Sequence, residues 1–505
     1  MPGMDDSRLY LPETVRAIDA AAIEQCGIAA FELMRRAAKA AYQELRRRWP
    51  EARHLLVLAG GGNNGGDGIE LARLAMLDGR RVELVLLADP AQLRGAAAEA
   101  WAAFQAAGGT RCQVAHVDAA DVIVDALFGI GLSRAIDGEA ADWVARVNRG
   151  KRPVLALDIP SGLDACTGMP LGAALGADAT ITFIARKLGL YQGSAAACVG
   201  DVVFADCDVP AGAFADAEAA ARLLTDEDLH AAWPARGADM HKGHFGHLVI
   251  VGGQPGMPGA ALMAARAALR SGVGLVTVIT HPDHAAMLPL VQAELMVKVA
   301  DDAAPLREWL EPASAIVCGP GLGQSDWSRA LLNAVLEHAG SRPLVLDADA
   351  LNLIAEAPRP LSPQAVITPH PGEAARLLGC STGEVQSDRL AAAQALLDRW
   401  GCTSVLKGAG TWVVAPDALP AFCPAGNPGM GVGGMGDVLS GIIGGTAAGQ
   451  SPLGDAVRGA VLAHARAGDI AAAQCGQVGL LPSDLIDALS KVCRGHERYG
   501  ALVAA

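Results

Sequence analysis

Short apolar runs alternate along this chain with alanine-rich stretches in which apolar residues recur every three or four positions. In the first 210 residues the runs predict strands, and the stretches between them predict helices. The predicted strands are 54–59, 81–87, 121–125, 153–158, 180–185 and 202–205, and the predicted helices include 69–78 and 95–107. Such alternation is typical of a mostly parallel sheet with helices on both faces, so we predict an α/β fold.

The alternation pauses at 210–221, a stretch of small residues without a strand pattern, and then restarts. Further strands are predicted at 248–251, 275–279, 315–318, 344–347, 365–368 and 404–407, and a helix at 438–444. A chain of 505 residues is too long for one hydrophobic core. We therefore predict two α/β domains, residues 1–215 and 216–505, with a boundary good to about ten residues. Their glycine motifs differ, which argues against an internal duplication.

Composition and charge narrow the classes of function. The net charge of −14 is opposite to the basic surface of most nucleic-acid-binding proteins. No apolar stretch reaches the about 18 residues of a membrane helix, and the first ten residues lack the apolar region of a signal peptide. The eleven cysteines show no Cys-x-x-Cys spacing. We expect a cytoplasmic protein with reduced thiols, a homo-oligomer that binds small molecules rather than nucleic acid or membranes.

A glycine-rich segment, GGGNNGGDG at 60–68, follows a predicted strand and leads into a helix. Glycines let the backbone approach a ligand, and the start of a helix offers N–H groups to a phosphate. Gly60, Gly62 and Gly65 also satisfy G-x-G-x-x-G, with Glu83 near the usual distance for a ribose contact. A dinucleotide-dependent dehydrogenase and a purely structural turn are therefore alternatives for this segment.

Two later strands also end in acidic segments. Asp125 is followed by two glycines, and one strand later Asp158 is followed by Ser161 three residues on. In open α/β sheets ligands bind outside the carboxyl ends of the strands, so the three segments are predicted to converge on one pocket. A single aspartate at a strand end is more often a helix cap, but three such segments favour a site.

In order and spacing, GGNNGGDG at 61–68, DALFGIGL at 125–132 and DIPSGLD at 158–164 resemble the NAD(P)H-hydrate epimerase family. The resemblance implies a Rossmann-like fold whose substrate is the hydrated nicotinamide ring, inverted at carbon 6, with Asp158 as our candidate for moving a proton. It also implies a potassium ion on Asn64, Asp125 and Ser161, an all-oxygen set that suits a hard cation. The implied substrate contacts are Asn63, Asn64, Gly65, Gly66, Asp67, Gly129, Ile130, Gly131, Leu132, Ser133, Arg134, Ala135 and Asp158.

A second set of motifs lies in the C-terminal half. NPGMGVGGMGD at 427–437 precedes a predicted helix, whose N–H groups could form an anion hole while Asp437 deprotonates an accepting hydroxyl. Glycine packing with Asp437 as a helix cap is the alternative. KGAGT at 407–411 could hold nucleotide phosphates, and Asp347 and Asp349 could support magnesium or water. No G-x-x-x-x-G-K-[ST] motif occurs, which excludes a Walker-type NTPase.

With HKGHFGHLVIVGG at 241–253, PGA at 258–260 and TPHPGE at 368–373, these motifs resemble the ribokinase-like superfamily, and within it the ADP- or ATP-dependent NAD(P)H-hydrate dehydratases. The resemblance implies that ADP or ATP, with Mg²⁺, phosphorylates the ring hydroxyl of the S hydrate, and that phosphate then leaves. Asp437 would be the base. The implied substrate contacts are Ala261, Gly323, His370 and Asp437, and the implied nucleotide contacts are Lys407, Gly408, Ala409, Gly410, Thr411 and Gly436.

Other functions stay open at this point. The C-terminal half could be a kinase for a hydroxymethylated vitamin precursor, and the first half a dehydrogenase or a catalytically silent dinucleotide-binding module. His241, His244 and His247 recur every three residues, which invites a metal site. That spacing runs into a strand, where it scatters side chains over both faces, so a surface or phosphate-side role is favoured. The choice between ADP and ATP, and between NADH and NADPH hydrates, is not determined.

Overall fold

The computed structural model describes residues 6–112, 115–237 and 239–494. They form two compact units that divide between Ala221 and Arg222. Both units are α/β, which confirms the predicted fold class. Within the described ranges, no helix is long and apolar enough to cross a lipid bilayer.

The strands of the first unit are β1 (Arg8–Tyr10), β2 (His54–Ala59), β3 (Arg81–Leu86), β4 (Val122–Ala126), β5 (Val154–Leu157), β6 (Ala179–Phe183), β7 (Arg186–Lys187) and β8 (Asp201–Ala205). Six of them form a sheet that is parallel throughout, in the order β3-β2-β4-β5-β6-β8. Its helices are α1 (Pro12–Glu24), α2 (Ala30–Arg48), α3 (Asn63–Leu77), α4 (Gly95–Ala106) and α5 (Gly138–Arg149). The two short strands β1 and β7 pair with each other in parallel.

Helices cover both faces of this sheet, and the central strand β2 shows how. Side chains alternate between the faces of a strand. Leu55 and Val57 join a core that includes residues of α1 to α4, whereas Leu56 and Leu58 join a second core that contains Trp143 of α5. Every residue of β2 is therefore buried, which explains its continuous apolar run.

Helix α3 begins at Asn63, six residues before the predicted start at 69. The glycines of its first turns are needed for close packing rather than for a flexible loop. A Cβ atom at Gly65 would clash with the carbonyl oxygen of Gly60, and one at Gly68 would lie 2.5 Å from the Cβ of Ala126. The glycine-rich segment is thus the start of a helix that lies against the ends of two strands.

The second unit contains a larger mixed sheet. Its strands are β9 (Ala221–Leu223, which crosses the division), β10 (His247–Val251), β11 (Leu275–Thr280), β12 (Met296–Val299), β13 (Ala315–Cys318), β14 (Leu344–Leu346), β15 (Ala365–Ile367), β16 (Thr403–Leu406), β17 (Thr411–Val414) and β18 (Ala421–Cys423). Their order in the sheet is β12-β11-β10-β13-β14-β15-β16-β17-β18-β9. The strands from β12 to β16 in this order are parallel, and β17 is antiparallel to both of its neighbours, β16 and β18.

Helices pack on this sheet, and two of them are in close backbone contact. The helices are α6 (Asp226–Ala232), α7 (Pro258–Arg270), α8 (Pro282–Ala285), α9 (Leu288–Val291), α10 (Leu306–Leu310), α11 (Asp326–His338), α12 (Asp349–Glu356), α13 (Pro371–Leu378), α14 (Thr382–Ser387), α15 (Arg389–Trp400), α16 (Met435–Ala447), α17 (Leu453–Cys475) and α18 (Pro482–Arg494). A Cβ atom at Gly441 of α16 would clash with the carbonyl oxygen of Ala264 in α7. Glycine at this position therefore permits a closer helix contact than alanine would.

Candidate active sites

The carboxyl ends of β4 and β5 are tied together by Asp125 and Ser161, both fully buried. Ser161 donates its backbone N–H to Oδ2 of Asp125 across 2.8 Å and its hydroxyl to Oδ1 across 2.6 Å. The same hydroxyl oxygen accepts the N–H of Phe128 across 2.9 Å. Burial raises the pKa of Asp125 to about 6, and the hydrogen bonds from Ser161 oppose that rise. Two of the predicted segments therefore meet.

Asn64 joins them from the first turn of α3. A Cβ atom at Gly129 would lie 3.2 Å from the Cβ of Asn64 and 3.5 Å from Oδ2 of Asp158, so these three residues are neighbours. Both polar atoms of the Asn64 amide are buried, and neither has a hydrogen-bond partner among the residues that the structure describes. Because a buried amide without partners is costly, the arrangement points to a ligand that supplies them.

Asp158 follows β5 in an unusual backbone conformation, with φ of 65° in the left-handed region. Such a conformation costs about 1–3 kcal/mol and clusters at functional sites. Lys187 of β7, a buried side chain, donates its ammonium group to Oδ1 of Asp158 and to the carbonyl of Phe183, the latter across 2.7 Å. The carboxylate of Asp158 is therefore held in one position by an ammonium group that lies outside the sequence motifs.

The carboxyl groups of Asp67 and Asp19 are also influenced by the charges of Asp158 and Lys187. Burial, together with Asp158 and Asp19, raises the pKa of Asp67 well above its ordinary value. Burial also raises the pKa of Asp19, against the attraction of Lys187. With their raised pKa values, Asp67 and Asp19 are suited to accept and release protons. Asp19 comes from α1, a helix that the sequence pattern did not predict.

The remaining predicted contacts of the first unit lie on the loop between β4 and α5. Gly129 and Ile130 are half-buried at the base of this loop, whereas Ser133, Arg134 and Ala135 are exposed. The loop therefore reaches from the buried polar groups to solvent, as one wall of a binding cleft would.

In the second unit, Asp347 directly follows β14 and lies 1 % exposed. Its Oδ1 accepts from Lys407 Nζ across 2.7 Å, and its Oδ2 accepts the hydroxyl of Ser440 in α16. Lys407 Nζ also lies 3.9 Å from Oε2 of Glu373. Burial alone would lower the pKa of Lys407, but Asp347 and Glu373 outweigh burial and raise it. Asp347 is therefore engaged on both oxygens.

Asp437 lies in the first turn of α16, beside that ion pair. Burial first, and then the charge of Asp347, raise the pKa of Asp437 to about 7, while Lys407 opposes the rise. A Cβ atom at the preceding Gly436 would lie 3.2 Å from Lys407 Nζ. Gly434 precedes the first residue of α16, and its φ of 100° is a backbone conformation that residues other than glycine rarely adopt. A carboxyl group with a pKa near neutrality at a helix start is suited to general base catalysis.

The predicted substrate contacts of this unit differ in accessibility. The ring of His370, with 52 % of the side chain exposed, caps α13, where Nδ1 accepts the N–H of Gly372 across 3.0 Å. Gly323 is buried and donates its N–H to Oδ2 of Asp349 across 2.8 Å. Ala261 has no exposed surface on α7, whereas the side of α7 at Ala260 is half-buried.

The three histidines of 241–247 do not gather. The rings of His241 and His244 pack at 4.0 Å between centroids, and His247 instead shares a hydrogen bond of 2.8 Å with the hydroxyl of Thr277. Over the described ranges, no three residues among His, Cys, Asp and Glu are placed to hold a metal ion.

Each of the two units matches a model of a known protein family. The family model described as YjeF-related protein N-terminus matches residues 30–189, and the model described as NAD(P)H-hydrate dehydratase matches residues 248–491. The bifunctional NAD(P)H-hydrate repair enzyme of Coxiella burnetii is 44 % identical over 482 residues, covering 94 % of this chain and 97 % of that protein. The enzyme of the same name from Escherichia coli is 43 % identical over 488 residues, covering 96 % and 93 %.

Solved structures match about half of the chain. A ribokinase-like superfamily protein of Enterococcus faecalis has a TM-score of 0.52 and 31 % identity, covering 55 % of this chain and 97 % of that one. The ADP/ATP-dependent NAD(P)H-hydrate dehydratase of Bacillus subtilis, co-crystallised with ATP and Mg²⁺, has a TM-score of 0.50 and 31 % identity, covering 55 % and 99 %.

Proposed function

The chain belongs to the family of bifunctional NAD(P)H-hydrate repair enzymes, and from that premise we propose that its first unit is an NAD(P)H-hydrate epimerase and its second an ADP- or ATP-dependent NAD(P)H-hydrate dehydratase. One observation carries the proposal. In each unit an acidic side chain lies near a lysine: Asp158 accepts from the ammonium group of Lys187, and Asp437 lies within the influence of the charge of Lys407.

In the epimerase, Asp158 accepts the proton of the hydroxyl on carbon 6 of the hydrated ring. The oxygen then forms a double bond to carbon 6 as the bond from carbon 6 to nitrogen breaks, nitrogen takes up a proton, and reclosure on the other face gives the other epimer. In the alternative route a protonated carboxyl group donates a proton to the hydroxyl, which leaves as water, and water returns to carbon 6 on the other face. Lys187 holds Asp158 in place, and Asp67 and Asp19 provide neighbouring sites for the proton. The substrate would lie against 63–67 and 129–135, with Arg134 at the exposed end.

Asn64, Asp125 and Ser161 would hold a potassium ion. They fit such an ion because the Asn64 amide lacks a partner and because the set presents only oxygen atoms to a cation. A bound cation would supply positive charge next to a substrate that carries phosphates. The serine hydroxyl and the Asp125 carboxylate are already positioned by each other, which reduces the cost of assembling the site.

In the dehydratase, Asp437 accepts the proton of the ring hydroxyl, and that oxygen attacks the terminal phosphorus of ADP or ATP. The bond from this phosphorus to the leaving AMP or ADP breaks, and the start of α16 stabilises the charge on the transferring group. The ring nitrogen then expels the phosphate, and loss of a proton from carbon 5 restores the double bond of NAD(P)H. Gly323, His370 and Ala261 would face the hydrated dinucleotide, and 407–411 with Gly436 the nucleotide.

Magnesium would enter with the nucleotide phosphates, which usually provide most of its ligands besides water. Asp347 is engaged by Lys407 and Ser440, so we propose Asp349 as the carboxylate that supports the ion. A domain boundary near residue 215, a homo-oligomeric state and a cytoplasmic location stay predictions from the sequence.

The test is one assay with both epimers of hydrated NADPH, followed at 340 nm in the presence of ADP, Mg²⁺ and K⁺. We expect all of the NADPH to be regenerated, in a fast phase for the S epimer and a second phase limited by epimerisation. A protein that leaves a stable phosphate ester would instead be a kinase, and the absence of any rise with ADP or ATP would disprove the dehydratase assignment.

A further inference from the structure

Arg389, the first residue of α15, carries a buried guanidinium group that lies beneath the 407–411 turn and is 2 % exposed. Nη1 donates to the carbonyl of Ala409 across 2.7 Å. Nη2 donates to the carbonyls of Gly410 across 2.8 Å and Lys407 across 3.1 Å. One side chain therefore binds three carbonyl groups of a single turn.

This guanidinium is balanced by backbone dipoles rather than by a carboxylate. No ion pair joins Arg389 to an acidic residue in the described part of the chain, and its Nε has no hydrogen-bond partner there. Burial lowers its pKa to about 10, which leaves the group charged at neutral pH. A buried charge without a counter-charge is costly, so a structural role alone explains it poorly.

The orientation of the carbonyls decides where the N–H groups point. In a trans peptide the C=O of one residue and the N–H of the next point in opposite directions. When Arg389 draws the carbonyls of Lys407 and Ala409 inward, the N–H groups of Gly408 and Gly410 face away from it. Backbone N–H groups of one turn that face the same way form the kind of concavity that binds anions.

Gly408 lets the guanidinium come this close. Its φ is 154°, and a Cβ atom there would lie 2.6 Å from Nη2 of Arg389. Any side chain at 408 would therefore push the guanidinium away from the turn.

We propose that Arg389 is a positioning residue for the nucleotide, which turns the N–H groups of Gly408 and Gly410 toward the phosphates of ADP or ATP. The inference rests on the proposed nucleotide-binding function of the turn. It assigns to a residue outside the 407–411 segment the task of shaping that segment for an anion.

The experiment compares the full-length protein with Arg389→Met, Arg389→Lys and a control, Arg399→Met. Arg399 lies on the same helix, is exposed, and donates to the carbonyl of Leu378 across 2.9 Å. Affinities for ADP and for adenosine are measured by calorimetry, along with kcat and KM of the dehydratase. We expect Arg389→Met to raise Kd and KM for ADP at least about tenfold, as loss of charged hydrogen bonds predicts.

A phosphate-positioning role leaves the affinity for adenosine and the KM for the hydrate near the wild-type values, because neither depends on the phosphates. Circular dichroism and denaturant unfolding report whether the second unit is folded. If Arg389→Met does not fold, Arg389→Lys decides, since one ammonium group cannot reach all three carbonyls and ADP affinity should still fall.

Two results would overturn the inference: wild-type affinity for ADP in a folded Arg389 variant, or an equal loss for ADP and adenosine. If wild-type protein itself binds neither ADP nor ATP, the proposed function fails instead.

Discussion

The ammonium nitrogen of Lys407 lies 2.7 Å from Oδ1 of the buried Asp347, and this ion pair joins the ends of β14 and β16. Glu373 and Asp437 lie near the same ammonium group, and burial raises the pKa of each of these two to about 7. The positive charge of Lys407 thus lies near three carboxyl groups, those of Asp347, Glu373 and Asp437. The proton that the dehydratase removes from its substrate therefore enters a cluster whose net charge changes easily near neutral pH.

Replacing Asp437 tests the assignment of the base. We expect Asp437→Asn to lower the dehydratase kcat by about 10²–10⁴-fold, because the amide cannot accept the hydroxyl proton. Epimerisation should continue at the wild-type rate. Asp398→Asn, an exposed position on α15, is the control and should leave both rates unchanged. The measurement is the rate of absorbance increase at 340 nm with the S hydrate as substrate. Wild-type activity in Asp437→Asn would show that a different residue is the base.

The pH profile follows from the same carboxyl group. Burial and Asp347 raise the pKa of Asp437 to about 7, and only the carboxylate can act as a base. The dehydratase kcat/KM should therefore be maximal above pH 7 and fall about tenfold per pH unit below it. Glu373 titrates in the same range, so Glu373→Gln serves as the comparison and should keep the inflection. A flat profile between pH 6 and 8 would contradict the assignment.

Asp158→Asn should separate the two activities of the chain. The variant should dehydrate the S hydrate normally, while conversion of the R hydrate should drop to the spontaneous rate. Lys187→Met should have the same direction of effect, because Lys187 positions Asp158. Chromatography of the two epimers over time measures this directly. Asp142→Asn, an exposed change on α5, provides the control, and undiminished epimerisation in Asp158→Asn would transfer the role to Asp67 or Asp19.

The cation site predicts a response to potassium. Exchange of K⁺ for choline at constant ionic strength should slow interconversion of the R and S hydrates. In Asn64→Ala the rate should already be low and should no longer respond to K⁺, because the orphan amide oxygen is removed. Initial rates of interconversion in the absence of ADP keep the dehydratase out of this measurement. A potassium response that persists in Asn64→Ala would place the ion elsewhere.

The contact between α7 and α16 predicts a stability effect remote from the chemistry. Gly441→Ala should lower the free energy of unfolding by about 1–3 kcal/mol or more, since the added methyl group overlaps the carbonyl of Ala264. Gly259→Ala is the matched control on α7, where a Cβ atom meets nothing within 4 Å. It should change stability by less than about 1 kcal/mol. Denaturant unfolding followed by circular dichroism distinguishes the two, and equal midpoints would refute the packing argument.

Much of the fold could be predicted from the sequence because buried parallel strands are continuous apolar runs. The strands at 54–59 and 315–318 lie where the pattern predicted them. Helices with many glycines were predicted too short: α3 begins six residues early, and α16 begins at Met435 rather than 438. At both positions tertiary packing requires the small residues that local propensity assigns to loops.

The candidate sites, like the fold, could be predicted from the sequence only in part. Residues in contiguous motifs, such as Asp125 and Asp437, could be selected because each follows a strand or precedes a helix. Lys187, Asp19 and Arg389 could not, since each is a single charged residue whose role depends on an element distant in sequence. Asp19 lies on a helix whose pattern was not recognised, and Lys187 on a strand of two residues.

The glycine contact beneath α16 also affects how natural variants of this protein should be interpreted. A survey scored by loss of NAD(P)H repair would rank changes at Gly441 beside changes at Asp437, although one alters the amount of folded enzyme and the other the chemical step. Only a parallel measurement of protein abundance in the same cells separates the two classes. A damaging variant in this helix is therefore not, by itself, evidence that the mutated residue takes part in the reaction.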